Sequence, residues 1–188
     1  MVGDSMAGDR ARPEIRISKQ QLDDDIARLV DRVFPDRAKW RAVVGVANGG
    51  IYPAGKVADG LGLDDDEIEV RGYRGREKSS IAIVRSLDDP AGGAGLLIVD
   101  DVVDSGDTAL AVRKMLPKAD FLAVYAKADG ARQVAAQGLP LLCAGRYPQD
   151  SWIVFPWHQA GWPGEVAASV ARYRARRQLA AEVPITRQ

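Results

Sequence analysis

Two carboxylates, Asp100 and Asp101, follow the apolar run Leu96-Leu97-Ile98-Val99 and precede a small hydroxyl-bearing turn, Asp104-Ser105-Gly106-Asp107-Thr108. The apolar run reads as a strand buried on both faces of a parallel sheet, and open α/β sheets bind ligands just beyond the carboxyl ends of such strands. The turn leads into a predicted helix over 109–116. Unpaired amides at a helix start, with the helix dipole behind them, favour an anion, so Asp104, Ser105, Gly106, Asp107 and Thr108 form a candidate phosphate cradle that needs no lysine. Carboxylates only accept hydrogen bonds, and beside an anion they must face hydroxyls or a divalent cation. Ribose hydroxyls and magnesium meet both demands. Asp107 brings its charge close to the cradle; as a first-turn helix residue it is expected to point away. The bland alternative is a strand-to-helix turn with an Asp cap and solvated acids.

Other segments must position these groups. Leu22, Ile26, Leu29, Val30 and Val33 recur near the helical period, which predicts an opening amphipathic helix over 17–34 with Ser18 as N-cap. Residues 42–46 read as a buried strand, 53–61 as a helix, and 67–73 and 80–84 as alternating strands around a charged turn. Strands over 96–99, 121–126 and 141–144 complete the set. This alternation indicates an α/β fold, a doubly wound, mostly parallel sheet.

Three segments bring further chemistry to the strand ends. Asn48-Gly49-Gly50 closes the first buried strand, where glycines let backbone amides approach a ligand, or simply make a turn. Arg71, Arg74, Arg76 and Lys78 lie in a basic, Gly-punctuated stretch over 71–80 that suits a flexible lid, or a solvated hairpin. Lys127 ends a strand and should emerge at the same edge as Asp101 and Asp104. Trp152, beyond it, carries an indole that can stack on a planar base, whereas Trp157 is expected to pack.

The strand, acid pair, third Asp and Ser-Gly-Asp-Thr in register resemble the phosphoribosyl-pyrophosphate motif of the type I phosphoribosyltransferases. The run from Lys127 to Trp152-Ile153-Val154-Phe155-Pro156-Trp157 is similar to the 6-oxopurine subgroup, in particular the bacterial xanthine-guanine and archaeal enzymes. The resemblance covers about 15–162 and implies the type I fold with a flexible lid loop and a small hood. It implies transfer of a 5-phosphoribosyl group from phosphoribosyl pyrophosphate to guanine, xanthine or hypoxanthine, in a cytoplasmic homodimer or homotetramer. By it, Asp100 and Asp101 hold the ribose and Mg2+, Asp104 moves the base proton, and the turn through Thr108 clamps the 5′-phosphate. Asn48, Gly49, Gly50, Arg71 and Arg74 hold pyrophosphate, while Lys127, Trp152 and the Ile153 backbone hold the purine. Asn48 departs from the family, which usually has Arg or Lys there. His158, where relatives often have an acid, is expected at a surface or interface.

Composition agrees with this picture. The 188 residues carry 26 basic and 26 acidic side chains, so no basic field argues for nucleic acid or an anionic membrane. No stretch approaches a membrane span. Cys143, the single cysteine, is expected to be packed rather than reactive. The predicted organisation is a disordered extension over 1–14, the catalytic domain over 15–163, and an Arg-rich helix and tail over 164–188. Two rivals stay open: a non-catalytic nucleotide or phosphoribosyl-pyrophosphate sensor on the same fold, and a transferase for a non-purine acceptor.

Overall fold

The computed structural model describes residues 12–74, 79–85, 89 and 91–159. The expected N-terminal extension through residue 11, the tip of the basic stretch (75–78) and the Arg-rich C-terminal helix lie outside the described residues. In chain order the elements are β1 (Glu14–Arg16), α1 (Lys19–Val33), a 3-10 turn (Phe34–Lys39), β2 (Ala42–Ala47), α2 (Ile51–Leu61), β3 (Asp64–Arg74) and β4 (Ser79–Arg85). There follow β5 (Leu96–Val103), α3 (Asp107–Met115), β6 (Asp120–Lys127), α4 (Ala128–Ala136), β7 (Gly145–Tyr147), β8 (Trp152–Val154) and a second 3-10 turn (Pro156–His158).

Six strands form one sheet in the order β4-β3-β2-β5-β6-β7, parallel except for the antiparallel β3–β4 pair. The apolar run of β5 is unbroken because both faces are covered. Leu97 and Val99 pack with Leu22, Ile26 and Val57 on the side of α1 and α2, while Leu96 and Ile98 pack with Val112, Leu116 and Val134 on the side of α3 and α4. From β2 the chain crosses to β3 on one side; from β5 it crosses to β6 on the other. The topological switch point therefore lies between β2 and β5, and a crevice opens at their carboxyl ends.

Ser18 caps α1 as expected, its hydroxyl accepting from the Gln21 N–H at 3.1 Å. The buried Asp25 carboxylate accepts from the Tyr125 hydroxyl at 2.6 Å, which bolts α1 onto β6. Burial first, and the Asp25 carboxylate second, raise the Tyr125 hydroxyl far above the usual phenol range, so it remains a donor.

Several boundaries differ from the sequence-based expectations. α2 begins at Ile51 rather than 53, with Pro53 inside the first turn, where its missing N–H costs no helical bond. β5 runs four residues past Val99, so Asp100 and Asp101 are strand residues, Asp100 opposite Ala123 of β6. α3 begins at Asp107 instead of 109. The expected strand over 141–144 is displaced: Leu142 makes an isolated bridge to Leu122 of β6, the Ala144 N–H donates to the Val124 carbonyl at 2.9 Å, and regular pairing begins at Gly145. That segment borders the sheet on one side only, so its apolar character does not oblige it to pair throughout. The hood is a separate parallel pair, β1 with β8, that aligns Glu14 with Trp152 and Arg16 with Val154.

Candidate active site

Asp101 meets the Asn48-Gly49-Gly50 loop across the crevice, while Asp100 turns to the α3 side of the sheet. A Cβ on Gly49 would collide with the Asp101 carboxylate, so the close approach requires glycine. Asp100 is buried, and its carboxylate accepts from the Asp101 N–H at 2.9 Å; Asp101 in turn accepts from the Val102 N–H at 2.8 Å. Burial raises both carboxyls, Asp100 well above its ordinary value with the Asp101 charge as the second cause. Asn48 is exposed at the end of β2, beyond the cis Ala47–Asn48 peptide bond.

One turn further, Gly106 takes a left-handed φ of 93° and forms the N-cap of α3; it has no side chain to offer, and the Asp107 N–H donates to Ser105 Oγ at 3.3 Å instead. Asp100, Val102, Val103, Asp104, Ser105, Gly106, Thr108 and Ala109 line a small cavity there of about 70 Å3. Asp107 is absent from that lining, as expected. Its carboxylate accepts from Ser105 Oγ at 2.9 Å and from Gln133 Nε2 of α4 at 3.0 Å. The Ser105 hydroxyl, expected to face the anion, therefore donates to Asp107 here.

Lys127 does emerge at this edge. It is buried, and its Nζ donates to Asp104 Oδ2 at 2.9 Å. The Asp104 carboxylate has a second partner that the sequence reading passed over: Gln149 Nε2 donates to Oδ1 at 2.9 Å. Gly130 was missed too. A Cβ there would strike the Asp104 carbonyl, so α4 can approach the cradle only through a glycine. A glycine inside a helix is itself a signal; Gln149 carries none, because only the tertiary fold brings it to Asp104.

Trp152 is half exposed, at 50%, on the hood strand. Its N–H donates to the Pro13 carbonyl at 2.8 Å, and the Val154 carbonyl accepts from the Ile17 N–H at 2.9 Å. Alternate residues of a strand turn their main-chain groups to opposite edges, so the N–H and C=O of Ile153 face away from β1. Trp157 stacks on Phe155 at 4.6 Å between ring centroids, the packing role expected of it. His158 is exposed, with Nδ1 accepting from the Phe155 N–H at 3.2 Å. Arg71 and Arg74 belong to β3, opposite Ala82 and Ser79, and their side chains lie outside the described residues. A larger cavity of about 350 Å3 sits at the amino ends of β5 and β6. Its polar groups are already engaged, Trp40 Nε1 with Asp120 at 2.8 Å and Lys39 with Asp36 at 2.7 Å.

Fold and site define the class: a doubly wound α/β protein with an acid pair, a glycine loop and a small polar cavity gathered at its switch point. The model of the phosphoribosyl transferase domain matches residues 17–129, and the chain belongs to that family. It is 35% identical to the xanthine-guanine phosphoribosyltransferase of Chromohalobacter salexigens over 153 residues, covering 81% of this chain and 88% of that one. Among solved structures, the purine phosphoribosyltransferase from Pyrococcus horikoshii superimposes with a TM-score of 0.63 at 22% identity, over 78% of this chain and 95% of that one. A protein from Neisseria gonorrhoeae with bound ppGpp gives 0.69 at 18% identity, over 87% and 99% respectively. Both confirm the α/β architecture expected from the sequence.

Proposed function

We propose that the protein transfers the 5-phosphoribosyl group from phosphoribosyl pyrophosphate to a 6-oxopurine, releasing pyrophosphate and forming a nucleoside monophosphate. The observation that carries this reading is the Lys127–Asp104 pair, with 2.9 Å between Nζ and Oδ2. A 6-oxopurine presents the O6 acceptor and the N7–H donor side by side; Lys127 and Asp104 present a donor and an acceptor at matching spacing. The xanthine-guanine activity named for the bacterial relative supports the same choice.

In this reading Trp152 stacks on the base and the Ile153 main chain meets its C2 side. Gly106, Thr108 and their neighbours clamp the 5′-phosphate, turning remote binding energy into orientation. N9 of the base forms the new bond to the anomeric carbon as the bond to pyrophosphate breaks, and the N7 proton passes to Asp104. Positive charge builds on the ribose in a transition state of the glycosyl-transfer kind, and Asp100 and Asp101 face it. These two carboxylates are hard-oxygen donors of the kind that would hold Mg2+. Held by Asp100 and Asp101, Mg2+ would supply positive charge to balance the departing pyrophosphate. Asn48, Gly49, Gly50 and the lid residues Arg71 and Arg74 receive that group. The proposal includes a homodimer or homotetramer acting in the cytoplasm.

Incubation with phosphoribosyl pyrophosphate, Mg2+ and each of guanine, xanthine, hypoxanthine and adenine tests the activity, read as monophosphate formed. Turnover of 6-oxopurines with little use of adenine is expected, and efficient use of adenine overturns the base assignment. Lys127→Ala should raise the Michaelis constant for 6-oxopurines about 10- to 100-fold, because a hydrogen bond to a charged group contributes ~1.5–3 kcal/mol. Phosphoribosyl-pyrophosphate binding should hold. The rival sensor, favoured by Asn48 and the Arg-bearing tail, binds phosphoribosyl pyrophosphate or a nucleotide without turnover.

Asn48 admits its own test. If the missing cation weakens pyrophosphate binding, Asn48→Arg should tighten pyrophosphate inhibition, since a guanidinium adds charge-assisted contacts worth roughly 1.5–3 kcal/mol. If lid cations already supply that charge, Asn48→Arg changes little, and Ala at Arg71 and Arg74 weakens inhibition instead.

A further inference from the structure

The side-chain amide of Gln149 is engaged at both ends. Its oxygen accepts from the Asp129 N–H at 2.9 Å; its nitrogen donates to Asp104 Oδ1 at 2.9 Å and reaches the Asp104 carbonyl at 3.4 Å. Because an N–H must meet the oxygen, the first bond fixes which way round the amide sits. α4 needs that oxygen. Its N-cap is Lys127, which has no acceptor to offer the helix amides and makes no side-chain capping bond. Gln149 supplies the cap from a distant loop, and in doing so aims its NH2 at the carboxylate.

Asp104 needs such a partner. Its side chain is 54% exposed on a turn, so packing does not fix its rotamer. Lys127 holds Oδ2 and Gln149 holds Oδ1. The other charged groups nearby are otherwise engaged: Asp107 with Ser105 and Gln133, and Asp129 with Arg132. When a 6-oxopurine draws Lys127 toward O6, Gln149 is the partner that stays. We propose that Gln149 is a positioning residue for phosphoribosyl transfer, holding the Asp104 carboxylate so that Oδ2 faces the base proton and tying that orientation to the start of α4. The proposal rests on the reading of Asp104 as proton acceptor.

Two substitutions separate orientation from capping. Gln149→Glu keeps the capping oxygen and adds a negative charge favoured at a helix start, but sets carboxylate against carboxylate. Gln149→Ala loses both functions. Turnover should fall about 10-fold in Gln149→Ala and about 100-fold in Gln149→Glu, the range commanded by outer partners of reacting groups. In Gln149→Ala the Michaelis constant for phosphoribosyl pyrophosphate should stay within about twofold, because residues 105–108 of the cradle keep their own contacts and no charge is added beside them. Melting temperatures should run the other way, with Gln149→Glu at least as stable as Gln149→Ala. A residue that merely caps gives the opposite order of turnover, and that result, or Gln149→Glu turning over like the wild type, overturns the proposal. A wild type that converts no 6-oxopurine overturns the functional reading itself, a failure visible before any variant is compared.

Discussion

Replacing Asp104 with Asn is expected to lower turnover roughly 10²–10⁴-fold, the contribution of a placed general acid or base, while the Michaelis constant for phosphoribosyl pyrophosphate moves only a few-fold. The asymmetry follows from geometry. The carboxylate accepts from Lys127, 2.9 Å away, while the neighbouring small cavity, the proposed phosphate site, is lined also by Val102, Val103, Ser105, Gly106, Thr108 and Ala109, which the substitution leaves in place. Asn can accept from Gln149 through its oxygen, but then turns its NH2 toward the Lys127 ammonium. Lys127 loses its resting partner, so the Michaelis constant for the base should rise as well. Steady-state kinetics with guanine and with phosphoribosyl pyrophosphate varied in turn checks both halves. An unchanged turnover number removes Asp104 from proton transfer.

The parts of this site legible in the sequence are those where one local segment does the work. The buried run Leu96–Val99, the acids after it and Ser-Gly-Asp-Thr lie within 13 consecutive residues, and strand, switch point and cradle follow from that order. Ser18 as N-cap was legible for the same reason. Boundaries were less so. Asp100 and Asp101 were expected just at the end of the apolar strand, because carboxylates are rare inside strands, yet β6 offers a pairing edge as far as Ala126, and the strand continues through them. The segment over 141–144 looked like a strand because it is apolar, but with one neighbour its pairing is decided by β6. Gln149 was invisible for a different reason: Asp104, Asp129 and Gln149 are joined only by tertiary structure, and no spacing records it.

Asp100→Asn is expected to make the ligand-free protein more stable at neutral pH and a far poorer binder of its sugar substrate. Asp100 is buried beside Asp101, and burial first, then the neighbouring charge, hold its carboxyl well above the ordinary range. The sign follows from linkage. A carboxyl raised in the folded state favours folding below the ordinary carboxylate range, and that advantage is lost as pH climbs through the raised value. At neutral pH the ligand-free fold therefore carries an unfavourable buried charge, which the neutral Asn removes while its oxygen still accepts from the Asp101 N–H. The melting temperature of the variant should exceed that of the wild type at pH 7, and the two should converge as pH falls through the carboxylate range. Substrate binding moves oppositely: each charge-assisted bond to a ribose hydroxyl or metal-bound water contributes ~1.5–3 kcal/mol, so losing Asp100 and Asp101 together should weaken Mg2+-dependent phosphoribosyl-pyrophosphate binding by at least about 100-fold. Adding that substrate with Mg2+ should then raise the melting temperature of the wild type and leave the double variant unmoved. If binding survives in Asp100→Asn/Asp101→Asn, the ribose site lies elsewhere. If Asp100→Asn instead melts lower at every pH, the pair serves the fold rather than the ligand.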